Sequence, residues 1–336
     1  MRAAVLERPG LNNLRIEQLP TPEPGPGEVL VRLRAASLNY RDTLTVVGGY
    51  GSRQKQERLI PLSDGAGEVA AVGSGIEHWR SGDRVIGCLM PNWQGGEMSD
   101  EKSAISLGGS VDGCAAEYRV FPATGLVHTP EHLSDIEAAT LPCAALTAWS
   151  AVVTQGGVGP GDIVLTQGIG GVSLFALQFA RLAGARIIST SSAPDRLQRL
   201  RELGASDVVN YHEVPDWGRW ARALTAGRGV DHVVEVGGAG TLVQSVRAVR
   251  VGGTISLIGV LGGAKPDFNL AVVVMQNIRL QGVTVGSRDQ FERMLAAIGA
   301  HKLRPVIDRV FPLEEIRAAI EHLGAGRHVG KVCIAL

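Results

Sequence analysis

Apolar positions along this chain follow two different periods. Residues 27–37, GEVLVRLRAAS, place Val29, Val31 and Leu33 on one face at a spacing of two, the pattern of a half-buried strand. GAGEVAAVG (65–73) and SGDRVIG (81–87) repeat that texture between glycine turns, so the first third is expected to be strand and turn. Residues 20–28, PTPEPGPGE, hold too much proline and glycine for a helix or a central strand and are expected to form an ordered surface connection. Residues 88–113 are polar, glycine-rich and weakly periodic, as expected of a long loop beside a site.

From about residue 130 the pattern becomes strand, helix, strand, helix. Six short β-rich runs follow one another: DIVLTQ (162–167), ARIIST (185–190), DVVNY (207–211), VDHVVEV (230–236), GTISLIG (253–259) and IRLQGVTV (278–285). Between them lie helical stretches such as 172–183, closed by Gly184, and 196–203, closed by Gly204, with glycine just past the C-cap. This alternation predicts an α/β fold with a doubly wound parallel sheet. The tail reads as a helix over LEEIRAAIEHL (313–323), a glycine turn and a last strand KVCIAL.

Composition narrows the classes. The 336 residues suffice for two domains and a large core. Lysine plus arginine and aspartate plus glutamate balance at 33 each, which argues against nucleic acid or a membrane surface as partner. The N-terminal residues MRAAVLERPG lack a signal-peptide apolar region, and no apolar run is expected to reach the roughly 20 residues of a membrane span. Cys88, Cys114, Cys143 and Cys333 are scattered, with no CxxC pair, as expected of reduced thiols in a cytoplasmic protein.

The chemistry concentrates at TQGIGGVSLFALQFA (166–180), where glycines stand at the step from strand to helix. Gly168 permits the tight turn, and Gly170 lets the backbone approach a pyrophosphate at the helix N-terminus, with Gly171 and Val172 opening that helix. Ser173 holds the position where the motif usually has glycine. The acid that binds the ribose of NAD, expected about 20 residues on, is missing: the second strand ends in Thr190, Ser191 and Ser192. Asp195 has a local explanation in a capping box from Ser192, with Pro194 in the first turn. A 2′-phosphate would therefore meet hydroxyls, amides and Arg196, which otherwise reads as an ordinary solvated helix residue. NADPH is the expected cofactor.

Several separated segments in order then resemble one family. PTPEPGPGEVLVRLRAASLNYRD, PLSDGAGEVAAVG, GDRVIG, AATLPCAALTAWSAV, the glycine turn, GGTISLIG and GKVCIAL are similar to the medium-chain dehydrogenase/reductase superfamily, on its zinc-independent, quinone-oxidoreductase-like branch. The resemblance implies a GroES-like β-barrel-type catalytic domain (1–124 and 289–336), a Rossmann domain (125–288), and a homodimer joined through the last Rossmann strands. It also locates what is missing. Zinc enzymes of the superfamily use a Cys after an early strand, a His in Gly-His-Glu and a later Cys. Here those places fall at residues 37–40, at Ser63 and at Cys143, and one thiolate cannot make a three-ligand catalytic site. The structural-zinc lobe is reduced to Cys88 and Cys114. Cys143 reads most simply as a small buried residue.

By the same resemblance Asn39 contacts cofactor or substrate, Tyr40 lies near the reacting carbonyl, Thr147 meets the nicotinamide ribose or amide, and Tyr211 packs near the adenosine phosphate. Asn39 also suits a plain turn, and Tyr40 and Tyr211 suit structural aromatics. Gly237, Gly259 and Val260 follow the carboxyl ends of strands, where an open α/β sheet binds its ligand. Trp93 walls a pocket or anchors its loop. The expected activity is hydride transfer from NADPH to a quinone or an α,β-unsaturated carbonyl without metal. The alternatives are a nucleotide-binding structural or sensing protein, and alcohol dehydrogenase-like activity.

Overall fold

The six β-rich runs of the second half form one parallel sheet, and the computed structural model describes residues 1–51, 54 and 58–336. Its strands are β8 (Ile163–Gln167), β9 (Arg186–Ser191), β10 (Asp207–Asn210), β11 (Val230–Glu235), β12 (Val249–Leu257) and β13 (Arg279–Gly282), in the order β10-β9-β8-β11-β12-β13. Leu165, Ile188, Val233 and Ile255 are buried in one core cluster, as strands covered on both faces require. Strand order reverses between the paired strands β8 and β11, so the connections that follow them leave toward opposite faces and open the crevice where such sheets bind ligands. Helices Gly171–Leu182 and Pro194–Glu202 stand where the pattern puts them, with Gly184 and Gly204 at positive φ beyond their ends.

The other unit is built on antiparallel pairs. β1 (Arg2–Leu6) pairs β2 (Leu14–Gln18). β3 (Glu28–Ser37), β4 (Asp64–Val72), β5 (Arg84–Gly87), β6 (Tyr118–Pro122), β7 (Leu126–His128), β14 (Ile307–Pro312) and β15 (Lys331–Ala335) make a second sheet, ordered β14-β15-β3-β4-β5-β7 with β6 also on β3. β15 lies antiparallel to β3, with Cys333 opposite Ser37, so the last strand completes the N-terminal unit. The chain divides into Met1–Leu146 with Gly286–Leu336, and Thr147–Val285. The expected boundary after residue 124 falls too early, because β7 pairs with β5, Val85 opposite His128. The return also begins before the expected 289.

Three local expectations need correction. The capping residue before Pro194 is Ala193, with no side-chain cap, not Ser192. Residues 88–113 contain a short helix, Asp100–Ser103, capped by Ser99. A helical run, Asp135–Thr154, is long and apolar enough for a membrane span by length and composition, although none was expected; 72% of its most apolar window is buried inside the protein, as in the core helix of a globular fold.

His232, in the middle of β11, is buried; its Nε2 lies 3.1 Å from the Ser256 hydroxyl. Its Nδ1 has no partner among the described residues. Burial pushes its pKa from 6.5 to about 4, opposed by Asp162. The folded protein therefore keeps this ring neutral, and stability present above pH 6.5 is lost as pH falls toward 4, by up to about 3 kcal/mol. Urea denaturation at pH 7 and pH 4.5 checks this. The wild type is expected to lose more stability between the two than His232→Gln, and equal losses would remove His232 as the cause.

Candidate functional site

The turn after β8 is built as a nucleotide cradle requires. Gly168 has φ +73°, a conformation L side chains rarely adopt, and its N–H donates to the Thr190 carbonyl at 2.7 Å. Gly170 caps helix Gly171–Leu182 with no side-chain hydrogen bond. The N–H groups of that first turn, where Gly171 and Val172 lie, therefore have no capping side chain competing with an anion. Ser173 is buried and donates its hydroxyl to the Gln167 carbonyl at 2.6 Å. The residue that breaks the glycine motif thus braces the turn from inside.

The neighbouring strand ends converge on this turn. Thr190 and Ser191 are buried, and the Arg196 guanidinium donates to the Ser192 hydroxyl at 3.5 Å. The Tyr211 N–H donates to the Ser191 carbonyl at 3.0 Å, and its partly exposed ring lies beside His212. Gly259 must be glycine, since a Cβ there would sit 2.4 Å from the Val236 carbonyl oxygen. Val260 is exposed, and the Gly237 carbonyl accepts from Gly262 N–H at 2.7 Å. Thr147 is buried, its hydroxyl donating to the Thr284 carbonyl at 3.3 Å, which is an internal role. These positions suit a dinucleotide: the first turn of helix Gly171–Leu182 has no side-chain cap, and hydroxyls and a guanidinium lie at the end of the neighbouring strand.

Sequence reasoning missed what holds the cradle together. Glu235, at the end of β11, is fully buried and accepts from Gly237 N–H at 2.8 Å, Gly238 N–H at 3.0 Å and the Gln167 amide at 2.8 Å. The Thr241 and Ser245 hydroxyls donate to it as well. One carboxylate thus ties the turn after β8 to the turn after β11. An acid between Val234 and Val236 in the apolar run VDHVVEV was the signal available.

Asn39 and Tyr40 belong to the other unit, at the start of helix Tyr40–Val46. The Asn39 N–H donates to Asp42 Oδ2 at 2.7 Å. Asp42 is fully buried, and burial pushes its carboxyl up to about 6 against the pull of Arg41. The Asn39 side chain is held by Lys331, whose ammonium donates to Asn39 Oδ1 at 2.5 Å and to the Leu38 carbonyl at 2.6 Å. The Asn39 amide nitrogen donates to the Ser63 hydroxyl at 3.4 Å, and Ser63 donates to Asp64 Oδ1 at 2.7 Å. Tyr40 is exposed. Trp93 is buried, its indole N–H donating to the Gly96 carbonyl at 3.0 Å, so it anchors its own loop.

The places expected for zinc ligands do come together here. The Cys143 N–H donates to Asp64 Oδ2 at 3.3 Å, and Asp64 also accepts from Ser37 at 3.3 Å. Burial pushes the Cys143 thiol up to about 12. The side chains collected are hydroxyls, an amide, an ammonium, the Cys143 thiol and one carboxylate, Asp64, short of the three thiolate, imidazole or carboxylate ligands that a catalytic zinc takes. Among the described residues, no group of three His, Cys, Asp or Glu is placed to hold a metal.

Comparison with known proteins agrees with the fold. Residues 25–131 match the alcohol dehydrogenase GroES-like domain family, and residues 171–300 the zinc-binding dehydrogenase family. A zinc-type alcohol dehydrogenase-like protein of Schizosaccharomyces pombe is 41% identical over 97% of this chain and 96% of its own length. A solved NAD-dependent alcohol dehydrogenase is 37% identical, with TM-score 0.90 over all of both chains. The quinone oxidoreductase of Coxiella burnetii is 28% identical, with TM-score 0.82 over 100% of this chain and 99% of that one. The chain belongs to the medium-chain dehydrogenase/reductase superfamily and is an oxidoreductase that binds a nicotinamide cofactor.

Proposed function

We propose that this protein uses NADPH to reduce quinones or activated C=C bonds, and that its turnover needs no metal. The observation that carries the reading is the Asn39 amide: Lys331 donates to its oxygen and Ser63 accepts one of its two N–H groups, which leaves the other N–H for a substrate oxygen. Oxidising a simple alcohol requires help in removing the hydroxyl proton, which a metal gives as a Lewis acid. Reducing a conjugated carbonyl asks less. Charge arriving at the far carbon spreads onto the oxygen, and positioned N–H or O–H donors stabilise it there.

Bound NADPH supplies the hydride. The chain supplies the rest: the Asn39 amide as a donor to the substrate oxygen, the exposed Tyr40 hydroxyl as a second donor, and access for a solvent proton at the neighbouring carbon. The alcohol dehydrogenase names of two relatives favour alcohol oxidation as the rival reading. Steady-state assays on chelator-treated protein decide between them. NADPH oxidation across quinones and enones is expected to exceed NADP reduction by ethanol, and the reverse order would sink the proposal.

The preference for NADPH over NADH rests on Thr190, Ser191, Ser192 and Arg196. Arg196→Ala is expected to weaken NADPH by about 1.5–3 kcal/mol while leaving NADH nearly unchanged, as read by fluorescence titration; equal weakening of both would refute a phosphate contact.

Homodimer formation is supported by the edge strand β13 and by helix Leu270–Met275, where Val274 is 72% and Met275 80% exposed. Apolar exposure beside an unpaired sheet edge marks a protein interface. Sedimentation equilibrium is expected to give twice the 35.4 kDa chain mass, and a monomer at micromolar concentration would count against it.

A further inference from the structure

We propose that Lys331 is a positioning residue for the Asn39 amide, fixing which face of it meets the substrate and strengthening it as a donor. The inference rests on the reading of Asn39 as the donor to the substrate oxygen. Lys331 is 3% exposed, and its nearest acceptors are the Leu38 carbonyl at 2.6 Å and Asn39 Oδ1 at 2.5 Å. Asp64 Oδ2 is farther away, at 3.8 Å. The carboxylate that balances the charge is thus not the lysine's tightest contact.

Asp64 is occupied elsewhere, accepting from Ser63, Ser37 and the Cys143 N–H. The lysine's short bonds go to the segment that carries Asn39.

An ammonium has donors only, so the amide oxygen must face it and the amide nitrogen must face away. The orientation of this amide is therefore dictated by charge. Ser63 takes one of the two amide hydrogens, which leaves the second for a ligand oxygen. A charge-assisted bond at Oδ1 also draws electron density from the amide nitrogen, so its N–H groups become stronger donors. The positive charge acts one amide away from an oxygen that becomes negative during hydride transfer, and is buried where water screens it little.

Removing Lys331 alone would strand the Asp64 carboxylate in the core, so the lysine is tested in an Asp64→Asn background. Asp64→Asn is compared with Asp64→Asn/Lys331→Met, each with Asn39 intact and with Asn39→Ala, using NADPH and 2-cyclohexenone, with folding checked by circular dichroism. Where Asn39 is intact, Lys331→Met is expected to lower kcat about tenfold or more. KM for the enone and Kd for NADPH should stay within about twofold. In the Asn39→Ala background the same change is expected to alter kcat less than about twofold, because the lysine then has no amide to act on. Lys331→Arg in the otherwise unchanged protein is expected to keep most of the activity, since a guanidinium also only donates. Equal losses with and without Asn39 would overturn the proposal and leave Lys331 a structural residue. Loss on Asn39→Ala with none on Lys331→Met overturns the lysine's role alone, whereas full activity in Asn39→Ala overturns the reading of Asn39 and this inference together.

Discussion

A lysine ammonium carried into a protein interior must be surrounded by acceptors, and those acceptors are then committed to it. Lys331 imposes that constraint on the N-terminal unit. It opens β15, which pairs with β3 and β14, and its charge collects the Leu38 carbonyl and the Asn39 side chain, 293 and 292 residues earlier, and, more distantly, Asp64. The junction of β3 with helix Tyr40–Val46, the start of β4 and the end of the chain are thereby held at one point. Asp64 extends the arrangement to Ser63, Ser37 and Cys143, so a misplaced last strand would disturb the whole cluster.

The nucleotide-binding unit uses the opposite polarity. There a buried carboxylate, Glu235, collects donors, and its partners are the backbone and side chains that shape the turns after β8 and β11. Glycine permits these turns, but a tight turn without such a tie has no fixed relation to its neighbour. The serine in the third motif position follows the same logic, since its hydroxyl closes a hydrogen bond that glycine could not make.

Periodicity made the sheets legible. All six parallel strands of the second half stand at the runs that announced them; central strands such as β8 and β11 are largely buried and near-continuously apolar, whereas the edge strand β13 is largely exposed. Boundaries were harder to read. Residues 125–146 join the first unit through the pairing of β7 with β5, a contact between distant segments that no local pattern encodes. The capping residue before Pro194 shifted by one for a related reason: Ser192 lies beside Arg196, and Ala193 takes the extended conformation that enters the helix. Of the site, the glycines and Asn39 were visible as motif residues. Lys331, Asp64 and Glu235 were not, because a charged residue at the border of a strand usually faces solvent, and only the assembled fold shows these three enclosed.

The central claim is that donors of the chain hold a conjugated oxygen while hydride arrives at the far carbon, with no metal taking part. The most direct measurement follows the hydrogen. NADPH carrying deuterium at the transferred position is turned over with 2-cyclohexenone on chelator-treated protein, and the product is read by deuterium NMR. The account predicts deuterium on the β-carbon and a solvent hydrogen on the α-carbon. Deuterium on the carbinol carbon, or transfer that begins only when zinc is added, would contradict it.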